Sequence, residues 1–322
     1  MFQEVAPYLL FALGFVVLIK GADLLIDGAS AIARKLRISN LVIGLTIVAF
    51  GTSAPELLVN IVAGANGSGD LAIGNVVGSN ISNILLILGV AGLIYPLRIG
   101  HGTVWKEIPF AFLGVLAIFV LANDALIDGV GFSSITRADG LIMLGFFAIF
   151  LYYTYGIARV QGEEDTEGPS LMKMPKAILL IVLGCAGLGF GSDWVVDGAI
   201  HIAQIFGLSE SLIGLTIVAV GTSLPELAAA GMAAYKKHPD LAIGNVVGSN
   251  IFNSFFVLGV SSTVAPIAFS PALNVDIIVC AIATLLLMIA VFVGRKHEIE
   301  RWQSAIFLSF YVGYIVYLVM RG

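Results

Sequence analysis

The sequence predicts an all-α integral membrane protein of about ten transmembrane helices in two inverted five-helix repeats, with both termini extracellular. Three observations carry this: an apolar composition, an uneven placement of Lys and Arg among the loops, and a duplication at an offset of 170 residues. Of the 322 residues, 59% are hydrophobic and 11% charged, against roughly 25% charged in an ordinary soluble domain. So much apolar surface requires a bilayer as its solvent and places the chain in the cell membrane as a multi-pass protein. The net charge of -5 leaves no basic footprint for nucleic acid. Cys185 and Cys280 stand alone in apolar runs and read as packing residues.

Apolar runs of about 20 residues place the spans near 7–34, 41–65, 70–95, 106–122, 138–158, 176–205, 211–235, 240–265, 273–293 and 302–320. The runs are continuous rather than alternating, and an open sheet edge cannot sit in lipid, so no strands are expected. The opening MFQEV lacks the basic start of a cleaved signal, so the first run reads as a retained span with its N-terminus outside. Arg34, Lys35, Arg37, Arg98, Lys106, Arg159, Lys173, Lys176, Lys236, Lys237, Arg295, Lys296 and Arg301 then fall in inner loops. Only Arg137 and Arg321 lie outside, and Lys20 falls within the first span. That bias fixes the orientation.

Residues 44–89 match residues 214–259 at 28 of 46 ungapped positions, including twelve consecutive residues, Asp70 to Ile81 and Asp240 to Ile251. Upstream, Gly21, Asp23, Asp27, Gly28 and Ala29 recur as Gly191, Asp193, Asp197, Gly198 and Ala199. Each copy holds five spans, an odd number, so the second enters the membrane upside down, as in transporters that offer one central site to alternate sides. The units are residues 1–159 and 176–322, joined by an acidic cytoplasmic linker, 160–175, which reads as a solvated connector.

The second and seventh spans contain Gly51-Thr52-Ser53-Ala54-Pro55-Glu56 and Gly221-Thr222-Ser223-Leu224-Pro225-Glu226. A carboxylate at mid-bilayer costs at least about 2.5 kcal/mol on insertion scales, so Glu56 and Glu226 read as a shared functional site. The adjacent prolines lack an N–H and free carbonyls near Gly51 and Gly221 to face an ion. Thr52 and Thr222 lie one turn from the glutamates on the same face, flanked by Ser53 and Ser223. The following spans carry Asn75, Ser79 and Asn83, mirrored by Asn245, Ser249 and Asn253, as polar stripes, while Gly74, Gly78, Gly244 and Gly248 read as packing positions.

All the donors are oxygen, with no His, Cys or Met in the stripes, which suits hard cations and disfavours zinc, copper and iron. Two carboxylates balance one divalent ion or two monovalent ones. Asp23, Asp27, Asp193 and Asp197 are kept out of the site, because a Lys20–Asp23 pair or a wet vestibule accounts for the first helix. His101, His201, His238 and His297 share no spacing and suggest no metal or relay. Ser53 and Ser223 have no His or Lys base nearby, which argues against a hydrolase or any other enzyme.

At these motifs the chain resembles the cation/calcium exchanger superfamily, whose two repeats carry GTS-x-PE followed by GN-x-x-GSN, and in particular its compact prokaryotic sodium/calcium exchangers. The resemblance covers essentially the whole chain. It implies a sodium/calcium antiporter without a cofactor, whose partners are calcium, sodium and the bilayer, and no obligate protein partner. It implies that Glu56, Glu226 and the carbonyls of Thr52 and Thr222 hold calcium, and that Ala49, Ser53, Ser79, Ala219, Ser223 and Ser249 with the same glutamates hold sodium. It also implies that the long first and sixth helices slide as gates. Some relatives have Asp at the position of Asn253, an acid used in potassium coupling; here Asn253 and its counterpart Asn83 are both amides. A calcium/proton exchanger of the same superfamily is the nearest alternative, since a buried glutamate can carry a proton. A cation channel fits less well, because broken helices in inverted repeats suit alternating access.

Overall fold

The computed structural model describes residues 2–160, 172–206 and 219–321. Its main elements are helices: α1 (Phe2–Leu36), α2 (Asn40–Thr52), α3 (Ala54–Ala65), α4 (Gly69–Ile94), α5 (Glu107–Leu121) and α6 (Arg137–Val160). They continue with α7 (Met174–Ile205), the short α8 (Ala219–Gly221), α9 (Leu224–Tyr235), α10 (Pro239–Val264), α11 (Asn274–Ala290) and α12 (Arg301–Arg321). Eight helices among the described residues are long and apolar enough to cross a membrane, and α2 with α3, bent by 47°, makes a ninth if counted as one span. The first half of the expected seventh span, residues 211–218, and the core of the acidic linker, 161–171, lie outside the described residues.

The break between α2 and α3 follows from Pro55 in the first turn of α3, preceded by Ser53 at φ -85° and ψ 6°. Pro225 does the same in the first turn of α9, with Ser223 at φ -87° and ψ 3°. A proline there loses no helical hydrogen bond, but the preceding helix cannot run through it.

Within α4 and α10 the backbone widens into π turns at Asn83–Ile87 and Phe252–Val257, and α2 carries another at Gly44–Val48. Such turns mostly appear singly inside α-helices at functional positions. Sequence periodicity gave no sign of them.

α10 is almost wholly buried, and α4 largely so, between the broken helices and the outer pairs. The outer helices turn apolar side chains such as Leu9, Val16, Tyr152, Phe190 and Met320 outward. That arrangement is unfavourable in water and natural in lipid.

α1 packs along α7 through glycines seven residues apart, Gly14, Gly21 and Gly28 against Gly184, Gly191 and Gly198. A Cβ on Gly191 would lie 2.6 Å from the Leu18 nitrogen, and one on Gly21 2.7 Å from the Leu188 nitrogen. A seven-residue stripe keeps to one face of a helix, so the two backbones meet along their length.

α2 and α10 meet in the same way, Gly44 against Gly244, while Gly248 lies against Leu45 and Ala49.

Contrary to the all-helical expectation, four two-residue strands occur: β1 (Leu97–Arg98), β2 (Ser134–Ile135), β3 (Ile267–Ala268) and β4 (Glu298–Ile299). They pair antiparallel as β1–β4 and β2–β3, with Leu97 opposite Ile299 and Ser134 opposite Ala268. All four lie in connections between spans, where water can satisfy their outer edges, so the exclusion of strands from lipid is respected.

Candidate functional site

The two helix breaks and the two π-widened helices bring their polar side chains to one buried centre. Glu56 and Glu226 stand in the first turns of α3 and α9 and are fully buried. Each sits at the positive end of its own half-helix, where unpaired N–H groups favour negative charge.

The halves interlock. Ser53 Oγ donates to Glu226 Oε1 at 3.0 Å, and Ser223 Oγ lies 3.4 Å from Ser79 Oγ. Asn83 Nδ2 donates to Asn250 Oδ1 at 2.9 Å, while Asn253 Nδ2 donates to Ser79 Oγ at 3.1 Å and Asn80 Oδ1 at 3.2 Å. Thr52 Oγ1 donates to Asn245 Oδ1 at 3.1 Å, and Thr222 Oγ1 lies 3.5 Å from Asn75 Oδ1. The Thr–Asn and Asn–Asn contacts answer one another across the halves, the reciprocity that a two-fold relation produces, whereas the contacts of Ser53 and Ser223 differ.

Both oxygens of Glu56, Glu226 Oε2, Asn83 Oδ1, Asn253 Oδ1 and Ser249 Oγ are buried and have no hydrogen-bond partner among the described residues. Each can accept. The amide nitrogens of Asn83 and Asn253 are bonded to protein, which fixes their oxygens as the open ends. A buried carboxylate or amide oxygen without a donor is costly, and a cation removes that cost. No three His, Cys, Asp or Glu side chains gather among the described residues, so the donor set is carboxylate, amide, hydroxyl and main chain.

Of the sequence-predicted residues, Thr52, Ser53, Ser79, Asn83, Ser223, Glu226 and Asn253 join this hydrogen-bonded centre, with the orphaned oxygens of Glu56 and Ser249 buried alongside. Ala49 packs against Gly248, and Ala219 begins α8. Thr222 is the less buried of the two threonines. The carbonyl freed at Gly221 accepts a hydrogen bond from Ser192 Oγ of α7 at 2.9 Å, which takes one of its two lone pairs.

The first helix has the expected local pair and a further partner that spacing did not show. Lys20 does lie 3.5 Å from Asp23, but the close partner of both acids is Lys236, 2.5 Å from Asp23 and 2.6 Å from Asp27. A residue 213 positions away carries no local signal. Burial works against the Lys236 charge, but the hydrogen bonds it donates to Asp23 and Asp27 outweigh it and hold the pKa above the ordinary lysine value.

Asn60 also escaped sequence reading. It accepts from Asn75 Nδ2 at 2.6 Å and donates to Ala72 O at 2.9 Å, behind Thr222. Its counterpart is Ala230, and there Asn245 donates to the Glu226 main-chain oxygen at 3.3 Å instead. The failure of the repeat at residue 60 was visible in the sequence, its neighbourhood was not.

Residues 6–156 and 176–320 match the family described as sodium/calcium exchanger protein. The putative antiporter CaxA of Alkalimonas amylolytica is 42% identical over 94% of this chain and 95% of its own. The sodium/calcium exchanger MaX1 of Methanosarcina acetivorans is 33% identical over 97% of this chain and 98% of its own. Among solved structures, the sodium-calcium exchanger NCX_Mj soaked with 10 mM Na+ and 10 mM Sr2+ superposes with a TM-score of 0.82 at 34% identity. That match covers 97% of this chain and 98% of the other. With matches of this extent on both halves, the chain belongs to the sodium/calcium exchanger family, multi-pass membrane proteins that move ions and are not enzymes.

Proposed function

We propose that this chain exchanges sodium for calcium across the cell membrane, presenting one central site to alternate sides. The observation that supports it best is the set of buried, unpartnered oxygen acceptors contributed by both halves. Calcium takes six to eight oxygens at about 2.3–2.6 Å in flexible geometry, which such a set can supply. In this reading Glu56 and Glu226 with the carbonyls of Thr52 and Thr222 hold calcium. Sodium uses Ala49, Ser53, Ser79, Ala219, Ser223 and Ser249 with the same glutamates, and Asn83 and Asn253 complete the shell as neutral donors. Two carboxylates are neutralised by one calcium or by two sodium ions, so the cargoes exclude one another.

The reciprocal contacts between halves support units of residues 1–159 and 176–322 related by inversion, with ten spans and both termini outside. The close glycine-lined contact of α1 with α7 lets those two helices slide past the site together as gates.

The test is calcium-45 uptake into proteoliposomes loaded with sodium, with potassium-loaded and proton-gradient controls. Uptake that requires the outward sodium gradient is the expected result. Uptake driven by the proton gradient alone would make the chain a calcium/proton exchanger, and flux without counterflow a channel.

A further inference from the structure

Two polar contacts tie the α1–α7 pair to the broken helices, and the repeat lacks the residues to form either of them in the other half. Lys236, one residue beyond α9, is 2.5 Å from Asp23 Oδ1 and 2.6 Å from Asp27 Oδ1, and donates to the Asp23 main-chain oxygen at 3.2 Å. Ser192 of α7 donates to the Gly221 carbonyl, beside Thr222, at 2.9 Å. At the offset of 170 the acids recur as Asp193 and Asp197, both exposed, but Lys236 is answered by Asn66 and Ser192 by Ala22. Asn66 follows α3 as Lys236 follows α9, so the positions are equivalent in the fold.

When a transporter is built from two matching halves, its second end state is approximated by giving each half the placement of the other. The ion pair would then be asked of Asn66, which has no charge, and the carbonyl bond of Ala22, which has no hydroxyl. A contact available in one end state and absent from the other biases the equilibrium toward the first by its full strength.

We propose, resting on the alternating-access reading above, that Ser192 and Lys236 are positioning residues that hold α1 and α7 in one of their two placements and give the exchanger unequal access to its two sides. Lys236 lies in a loop that the Lys and Arg distribution puts in the cytoplasm. The contact therefore closes the inner end of the seam between α1 and the site helices, while Asp193 and Asp197 stand exposed at the outer end. The favoured state faces outward.

The experiment compares wild type with Ser192→Ala, Lys236→Asn and the double variant, each taking the residue found in the other half. Calcium-45 exchange is measured in right-side-out and inside-out vesicles. Apparent affinity scales with the fraction of protein in the competent state, so KM for external calcium should rise and KM for internal calcium should fall, each by about threefold or more. Adding Asn66→Lys to Lys236→Asn moves the ion pair to the outer end, stabilises the inward-facing state and should enlarge both shifts. General destabilisation lowers kcat on both sides and produces no opposed KM shifts. Unchanged KM values, or shifts of the same sign on both sides, would overturn the proposal.

A second readout does not depend on transport. Nitroxide labels at Leu36 of α1 and Leu93 of α4, both exposed, should report a longer distance population in the double variant than in the wild type. Identical distributions would also overturn it. If the wild type shows no sodium-driven calcium flux, the exchange reading falls, and the label distances still decide whether these contacts hold the helices.

Discussion

Glu56 and Glu226 are the residues on which the proposed ion binding turns, and their environment sets what a single-atom change should do. Both are fully buried, and three of their four carboxylate oxygens have no hydrogen-bond donor among the described residues. Glu56→Gln or Glu226→Gln keeps the shape, removes one negative charge and leaves a divalent ion under-neutralised. Either variant should insert normally and lose at least about a hundredfold in calcium exchange, on the order of the 3 kcal/mol or more expected from breaking a buried charge pairing. Wild-type flux in either would remove the proposed site. Asn253 offers a milder test, since its amide nitrogen donates to Ser79 and Asn80. In Asn253→Asp those two donations vanish and a third charge enters the cluster. The expected outcome is altered sodium and calcium dependence, with potassium sensitivity appearing in uptake assays; an unchanged ion profile would place residue 253 outside the shell. The glutamates, Thr52, Ser53, Asn83 and their counterparts were legible because a polar residue in an apolar run is conspicuous, and more so when it recurs at a fixed offset. Asn60, Ser192 and Lys236 were not, because each acts through a partner set by packing rather than by spacing, and each sits where the repeat fails.

At the scale of elements, eight membrane-length helices and the bent second span were legible from hydropathy alone, whereas the π turns and the fit of α1 to α7 were not. Hydropathy reports that a helix is in lipid and says nothing of which face meets which neighbour. The seven-residue glycine stripe supplies that. A Cβ on Gly191 would press on the Leu18 main chain at 2.6 Å and on the Gly14 oxygen at 2.9 Å, backbone atoms that can yield only if the whole helix moves. Gly191→Ala should therefore destabilise by about 1–3 kcal/mol, the usual range for overpacking. It should slow exchange more than it weakens calcium binding, because it disturbs the α1–α7 unit proposed to move and not the ion-binding centre. Gly145 of α6 provides the control: it is exposed, with nothing near its would-be Cβ among the described residues. Gly145→Ala should be neutral or stabilise by up to about 1 kcal/mol through helix propensity. Thermal unfolding in detergent, read beside exchange rates, separates the two; equal behaviour of both variants would mean that the α1–α7 contact is not tight.

For the molecule as a whole, the proposed inversion of the second half has a consequence to be checked in its connections. β1 pairs with β4 and β2 with β3, so each ribbon joins a loop of the first half to a loop of the second. The distribution of Lys and Arg, read without any structure, puts the β1 and β4 loops in the cytoplasm and the β2 and β3 loops outside. Loops that pair must lie on the same side of the bilayer, and both ribbons satisfy this. So do the contacts of Arg301 with the Leu93 oxygen on the inner side and of Arg137 with the Val264 oxygen on the outer side. Charge bias and pairing are independent sources, one concerning insertion and the other the folded chain. Their agreement predicts the labelling pattern of two single-cysteine variants made in a background with Cys185 and Cys280 replaced by Ala. Phe132→Cys, in the exposed loop before β2, should react with a membrane-impermeant maleimide on intact cells and be protected in inside-out vesicles. Lys296→Cys, in the exposed loop before β4, should behave in the opposite sense. If both react from the same side, an even number of spans separates them where the two repeats require five, and the inverted arrangement fails. If both invert together, the arrangement stands with the opposite orientation, and the ion pair at Lys236 would close the outer end of the gate rather than the inner one.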